Sequence, residues 1–278
     1  MWLSEGMLKV VCLVLLQLIP LSYQLSTFNA ERIIEDNGIC VIGAGASGMF
    51  AAIAAAEKSL SVCDSSNSME TPIVTVFEGT SRLLSKVKIS GGGRCNVLHD
   101  TSKPVGEILE CYPRGKRELN GLFRKHFTPQ QAKEWFTSRG VSLKTEEDGR
   151  MFPITDSSQT IIDTLLEAAL SAGVNICKQS KVTSVSRDDA SGLFFVNTKD
   201  GGSTCFRSVI LATGSNPTGH DIAESFGHNL VPPVPSLFTL NTEDHVSQDG
   251  LFCDLAGLSV DQVCITLKIS GSCTVSLC

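Results

Sequence analysis

Gly38-Ile39-Cys40-Val41-Ile42-Gly43-Ala44-Gly45-Ala46-Ser47-Gly48-Met49-Phe50 is the stretch that decides the fold. Ile39 to Ile42 is an uninterrupted apolar run, the pattern of a strand buried on both faces. It leads directly into G-x-G-x-x-G at Gly43, Gly45 and Gly48, and the alanine-rich Phe50 to Lys58 behind it has high helix propensity. Strand, glycine turn and helix stand in the order a dinucleotide-binding unit requires. Gly43 permits the tight turn, Gly45 lets the backbone approach a pyrophosphate, and Gly48 lets the helix pack closely on the strand. Ala46 and Ser47 lie at the helix start, where free N–H groups face the phosphate charge.

The flanks strengthen a motif that is weak alone. Thr71-Pro72-Ile73-Val74-Thr75-Val76-Phe77-Glu78 reads as a second buried strand ending in an acid, which would bind ribose hydroxyls. Glu78 follows Gly48 by about 30 residues, against about 20 in the usual fingerprint. The mostly polar Ser59 to Glu70 accounts for the excess as a loop insertion between helix and strand.

A chain of 278 residues with 42% hydrophobic residues and 24 glycines can build one large domain or two smaller ones. A net charge of −6 argues against a nucleic-acid surface and predicts no nucleic-acid partner. The basic cluster Arg114, Lys116, Arg117, Arg124, Lys125 and His126 reads as a solvated face, since no aromatic ladder accompanies it. The 11 cysteines include no C-x-x-C pair, and Cys40, Cys177 and Cys205 fall inside strands, so neither a metal site nor a disulfide framework is expected. Mostly reduced thiols imply an intracellular compartment. The apolar Met7 to Ser22 is too short and too interrupted, by Gln17 and Pro20, for a stable membrane span. As a signal-like segment it leaves the secretory pathway open beside a plastid or mitochondrial location.

Residues 1–36 read as a leader outside the fold. After Glu78, Ser90-Gly91-Gly92-Gly93-Arg94-Cys95-Asn96 forms a loop whose bare backbone can lie against a flat or anionic ligand. Arg94 offers a planar fork for phosphate and Asn96 a donor and an acceptor for a ring edge; Cys95 stands beside an arginine that would lower its pKa, but reads as a structural thiol in preference to a catalytic one. Thr128-Pro129-Gln130-Gln131 is a helix start with a capping box, ending at Gly140. Ile161, Ile162, Leu165, Leu166, Ala169 and Leu170 mark the core face of a second helix closed by Gly173. Strand signals at Val174 to Cys177, Lys181 to Arg187, Leu193 to Thr198 and Thr204 to Leu211 predict an antiparallel meander inserted after the parallel unit. The last strand ends in Ala212-Thr213-Gly214, a tight turn at the sheet edge where α/β proteins bind ligands, and Asp221 to His228 reads as a short helix.

These stretches resemble the flavoproteins with two dinucleotide-binding domains. More closely, the chain resembles an FAD-dependent oxidoreductase family labelled aminoacetone-oxidase-like or bile-acid-reductase-like. The resemblance rests on Gly43 to Gly48, on Lys86 followed by Ile89 to Asn96, on Glu146-Glu147-Asp148-Gly149-Arg150-Met151-Phe152-Pro153, on Leu211 to Gly214 and on Pro232-Pro233-Val234-Pro235-Ser236-Leu237. It implies a Rossmann-like α/β domain over residues 37–240 and the start of an inserted substrate-side domain over residues 241–278. It implies FAD held by Gly43, Gly45, Gly48 and Glu78, the backbone at Val182 beside the adenine, Ala212, Thr213 and Gly214 along the pyrophosphate, and Lys86 with Ser90 to Asn96 near the flavin. A small organic substrate and a nicotinamide donor, NAD(P)H, would complete the reaction. Family members continue beyond the equivalent of Cys278, so a truncated product without catalysis is the alternative expectation. A plain NAD dehydrogenase is disfavoured by the meander.

Overall fold

The run Ile39–Ile42 is the buried end of β1 (Ile34–Ile42), which lies between two parallel neighbours, β2 (Val74–Phe77) and β9 (Ser203–Leu211). A computed structural model describes residues 34–63, 72–112 and 114–234, with the strands Ile265–Ile269 and Cys273–Leu277. The apolar Met7 to Ser22 and Leu255 to Val260 lie outside the described residues. Val41 contributes to a core on one side of the sheet, beside Met49, Ile53, Ile161 and Leu165, whereas Cys40 and Ile42 join Phe77, Val182, Val196, Phe206 and Ile222 on the other. Alternate residues of one strand thus feed two cores, which is why the run has no polar alternation.

The chain reaches this sheet through α1 (Ala46–Cys63), α2 (Ser85–Ile89), β3 (Leu98–His99), α3 (Val105–Glu110), α4 (Lys116–Lys125), α5 (Pro129–Thr137), β4 (Leu143–Thr145), β5 (Arg150–Pro153) and α6 (Ser158–Ser171). It finishes the sheet with β6 (Asn175–Cys177), β7 (Val182–Arg187) and β8 (Phe194–Thr198), which precede β9, and then forms α7 (Pro217–Ser225). Sheet order is β6-β2-β1-β9-β8-β7, a Rossmann-type sheet with an antiparallel edge. A separate small sheet has the order β3-β5-β4. The first unit ends at Val231; in the second, β10 (Ile265–Ile269) and β11 (Cys273–Leu277) pair antiparallel.

Four expectations are corrected. Val174 to Cys177 is not part of the meander: β6 pairs parallel with β2 and extends the nucleotide-binding sheet, and the meander β7-β8-β9 shares β9 with it. The polar run after Lys58 begins as helix, α1 continuing through Ser59 to Cys63, since Ser59 Oγ bonds the Ala55 carbonyl instead of breaking the turn. Leu170 is 79% exposed, so the core face of α6 ends at Ala169. The capping box at Thr128 is present with both of its bonds. α7 begins at Pro217, earlier than Asp221, because Asn216 caps it by accepting from the Thr218 N–H at 3.0 Å.

α3 and α4 pack through Ile108, Leu109, Tyr112 and Phe123. Tyr112 is 8% exposed and its hydroxyl has no hydrogen-bond partner among the described residues. Burial pushes the phenol pKa up. A buried hydroxyl without a partner costs about 1–3 kcal/mol, so Tyr112→Phe is expected to raise the melting midpoint or leave it unchanged. A fall in the midpoint would show that the hydroxyl is satisfied. Among the described residues no helix is long and apolar enough to cross a membrane.

Candidate functional site

The motif glycines differ in what surrounds them. Gly43 has φ +106, and a Cβ there would lie 2.6 Å from the Ala212 carbonyl oxygen. A Cβ on Gly48 would lie 1.8 Å from the Gly43 carbonyl oxygen. Gly45 has no positive φ, and a Cβ on it would meet nothing within 4 Å. Gly43 and Gly48 therefore close the turn on itself and on β9, while Gly45 faces open space. Gly45, Ala46 and Ser47 are partly exposed at the start of α1, where the first N–H groups lack intrahelical partners.

Beside this opening stands Glu78, one residue past β2. Its Oε2 accepts from the Ala44 N–H at 3.0 Å; its Oε1 accepts from the Thr80 N–H and hydroxyl, both at 2.9 Å. A carboxylate has about four lone-pair positions, so one remains on Oε2 for a hydroxyl donor. The other side of Ala44 is held too: its carbonyl accepts from the Leu84 N–H at 3.0 Å. Leu84 adopts φ +54, a left-handed conformation with no sequence signal, and starts α2. The loop carrying Glu78 is thus fastened to the glycine turn at both ends.

The remaining predicted residues divide into two groups. Gly43 abuts Ala212, and the Ala212 N–H bonds the Ile42 carbonyl at 2.9 Å, so Ala212 to Gly214 borders the glycine turn. Lys86 Nζ reaches the Ser215 hydroxyl at 3.4 Å, joining α2 to the same edge. The segment leading to Val182 lies at the Glu78 loop, where the Ser180 N–H bonds the Glu78 carbonyl at 2.8 Å. Gly219, buried in α7, leaves room for the Thr213 hydroxyl, which a Cβ there would overlap at 1.8 Å.

Ser90 to Asn96 is the second group: Ser90 Oγ bonds the Val87 carbonyl of α2, and the Arg94 and Asn96 side chains turn to the small sheet. Gly91, Gly92 and Gly93 all have positive φ, and a Cβ on Gly91 would press on the Phe152 ring at 3.0 Å. Arg94 bonds Glu146 at 2.6 Å, approaches Asp156 at 3.6 Å and stacks 4.0 Å from the centre of the Phe152 ring. Its fork, predicted for phosphate, is engaged with carboxylates, and the hydrogen bond it donates to Glu146 raises its pKa further. Cys95 is 2% exposed, as its structural reading expects; Arg94 does not lower its pKa, since burial pushes the thiol up although a hydrogen bond with Ser90 works the other way. Asn96 is 5% exposed, its amide nitrogen placed to donate to the Leu98 carbonyl at 2.8 Å. What the loop offers outward is glycine backbone.

Glu146 and Phe152 were missed as partners because nothing in their spacing relates them to Arg94. The Arg94–Glu146 pair, about a third exposed, is worth about 1 kcal/mol. Glu146→Ala should therefore lower the melting midpoint by about 2–4 °C; an unchanged midpoint would show the pair contributes nothing. Asp148 is held below the usual carboxylate range by the Arg150 backbone N–H, and Asp156 by its hydrogen bond with Lys144. With folded pKa values depressed, their contribution is present above about pH 4 and is lost as pH falls through the lower folded values.

Among the described residues no cluster of histidine, cysteine and acid could hold a metal. The family model of the HI0933-like protein Rossmann domain matches residues 37–267. The chain is 29% identical over 233 residues to the 3-dehydro-bile acid delta(4,6)-reductase of Clostridium scindens, covering 81% of this chain and 51% of that protein. It is 27% identical over 234 residues to the ribosomal RNA dihydrouridine synthase of Haemophilus influenzae, covering 79% and 52%. The chain spans about half the length of these curated relatives. The solved structure of Thermovibrio ammonificans THI4 superposes with a TM-score of 0.45 at 13% identity, covering 70% of this chain and 64% of that one. The resemblance carried by the glycine turn, the Ser90–Asn96 loop and the Ala212–Gly214 edge is borne out by a match that runs through all three: the chain belongs to the HI0933-like Rossmann family of FAD-dependent flavoproteins.

Proposed function

We propose that the chain holds FAD and serves an oxidoreductase that moves hydride between a small organic substrate and the flavin, with NAD(P)H as electron donor. Gly43 to Gly48 and Ala212 to Gly214 would hold the pyrophosphate, Glu78 a ribose hydroxyl, the backbone before Val182 the adenine, and Ser90 to Asn96 the flavin ring. The observation that carries this reading is Gly45, the motif glycine with open space where its neighbours are packed shut. Bound flavin would supply the redox chemistry, and the protein its orientation and surroundings. Glu78 contributes the vacant acceptor on Oε2 and, tied to Ala44 and Thr80, holds it without reorganisation. The engagement of Arg94 with Glu146 keeps the three-glycine backbone in place instead of supplying a phosphate ligand.

The names of the two curated relatives describe one type of bond, a ring double bond conjugated to a carbonyl, in a steroid in one case and in uracil in the other. That supports an α,β-unsaturated ring carbonyl as the substrate class. Cys95 and Cys111 are free thiols, which suits a reducing intracellular compartment, plastid and mitochondrion included. The test is a visible absorption spectrum of the purified chain after desalting, with and without added FAD. A flavin band that stays with the protein is the expected result. A folded, colourless protein would overturn the FAD reading and leave the non-catalytic alternative; nicotinamide binding without flavin would point to a dehydrogenase.

A further inference from the structure

We propose that the outer face of α4 docks the phosphodiester backbone of RNA. The chain carries a net charge of −6, yet the segment 114–126 holds Arg114, Lys116, Arg117, Arg124 and Lys125 against the single acid Glu118. The helix sorts these residues by side. Leu119, Leu122 and Phe123 turn inward against Ile108, Leu109 and Tyr112, while Arg117, Arg124 and Lys125 are exposed, with His126 exposed just beyond the last turn. At 3.6 residues per turn Arg117 and Arg124 lie nearly in line two turns apart, while Lys125 stands about 80° round the outer face from Arg117, in line with Glu118. From Arg117 to Lys125 the helix rises about 12 Å, enough to run beside several phosphates, spaced about 3.4 Å along the axis of each strand of a duplex.

The side chains leave capacity for such a ligand. Lys116 is paired with Glu110 and belongs to the fold of the α3–α4 pair. Arg124 spends its Nε on the Asn120 side-chain oxygen at 2.7 Å, one of about five donors on a guanidinium. That bond fixes the arginine's direction without neutralising its charge. The chemistry favours a polyanion that stays in water over a lipid surface, because the apolar side of α4 is buried in its own cluster and presents nothing to enter a bilayer. The absence of aromatic residues among these cations means the face positions a backbone without reading bases. The inference takes the uracil branch of the substrate reading above and adds the surface by which a nucleic acid would be held.

The test measures RNA and flavin separately. Fluorescence anisotropy of a labelled uridine-rich single-stranded RNA of ~20 nucleotides is followed against salt concentration for the full chain, for Arg117→Gln/Arg124→Gln/Lys125→Gln, and for the charge-matched control Arg187→Gln/Lys199→Gln/Arg207→Gln. The α4 variant should lose at least about tenfold in affinity at low salt. Its log–log salt slope should fall by about 2, at about 0.7 per phosphate contact on a single strand. The control should change less than twofold. Equal losses in both variants, no saturable binding by the unaltered chain, or preference for phosphatidylserine–phosphatidylcholine vesicles over RNA would each overturn the proposal. Flavin retention by the same samples reports on the FAD reading independently, since no α4 residue belongs to that site.

Discussion

Gly45→Thr is expected to fold normally and to lose flavin. The reasoning runs through what Gly45 does not touch. A Cβ there meets no atom within 4 Å, and its backbone is in a region open to any residue. Its carbonyl accepts the Met49 N–H at 3.0 Å, which places it at the N-cap of α1, where threonine and glycine are about equally favoured. The unliganded protein therefore has no reason to notice the change, and its melting midpoint should move by less than about 1 °C, the effect of a few tenths of a kcal/mol. The ligand has every reason to notice: a pyrophosphate that approaches bare backbone meets a branched side chain instead. A loss of at least about 100-fold in FAD affinity, about 2.7 kcal/mol, is the expected size, read by flavin titration and by the missing FAD-induced rise in midpoint. A variant that retained flavin with unchanged affinity would remove Gly45 from the site and with it the main support for the flavin reading.

The parts of this molecule that were legible in the sequence are those in which each residue's reason lies close by in the chain. Ile39 to Ile42 announced a two-sided strand because four apolar residues in a row have no other economical place. Thr128 and Gln131 announced a helix start because both bonds of the capping box are made within three residues. Asn216 and Pro217 carry an equally local signal for α7, a capping side chain followed by proline at the helix start.

Reasons that lie far off in the chain were not legible. β6 looks like a meander strand because Asn175 to Cys177 is short and follows a helix; only its parallel pairing with β2 shows which sheet it serves. Arg94 has the composition of a phosphate ligand, and its commitment to Glu146, 52 residues onward, is a tertiary fact. Asn96 lies in a glycine-rich string that offers it to a ring edge, yet it is buried behind a left-handed run of Gly91, Gly92, Gly93 and Cys95. The same conformations leave the loop's backbone as its outward surface, so the string keeps its significance while its side chains change role.

Gly48→Ala is the opposite case to Gly45→Thr, with damage that precedes any ligand. Gly48 sits in the first turn of α1, where alanine is intrinsically the better helix former by about 1 kcal/mol. Propensity alone predicts stabilisation. The added methyl, however, would stand 1.8 Å from the Gly43 carbonyl oxygen and 3.2 Å from the Ala212 Cβ. Neither obstacle is the free end of a flexible side chain. The carbonyl belongs to a turn whose own glycine is pressed against Ala212 from the other side, and Ala212 is bonded to β1. Relief requires α1 to move off β1 and open the core around Met49 and Ile53, both fully buried. Overpacking of this kind costs about 3 kcal/mol or more, so the midpoint should fall by at least about 6–12 °C whether or not FAD is present. The two variants form a crossed pair: one should change ligand response at constant stability, the other stability at every ligand concentration. If Gly48→Ala melted with the unaltered protein while Gly45→Thr lost stability without ligand, the roles assigned to the two glycines would have to be exchanged.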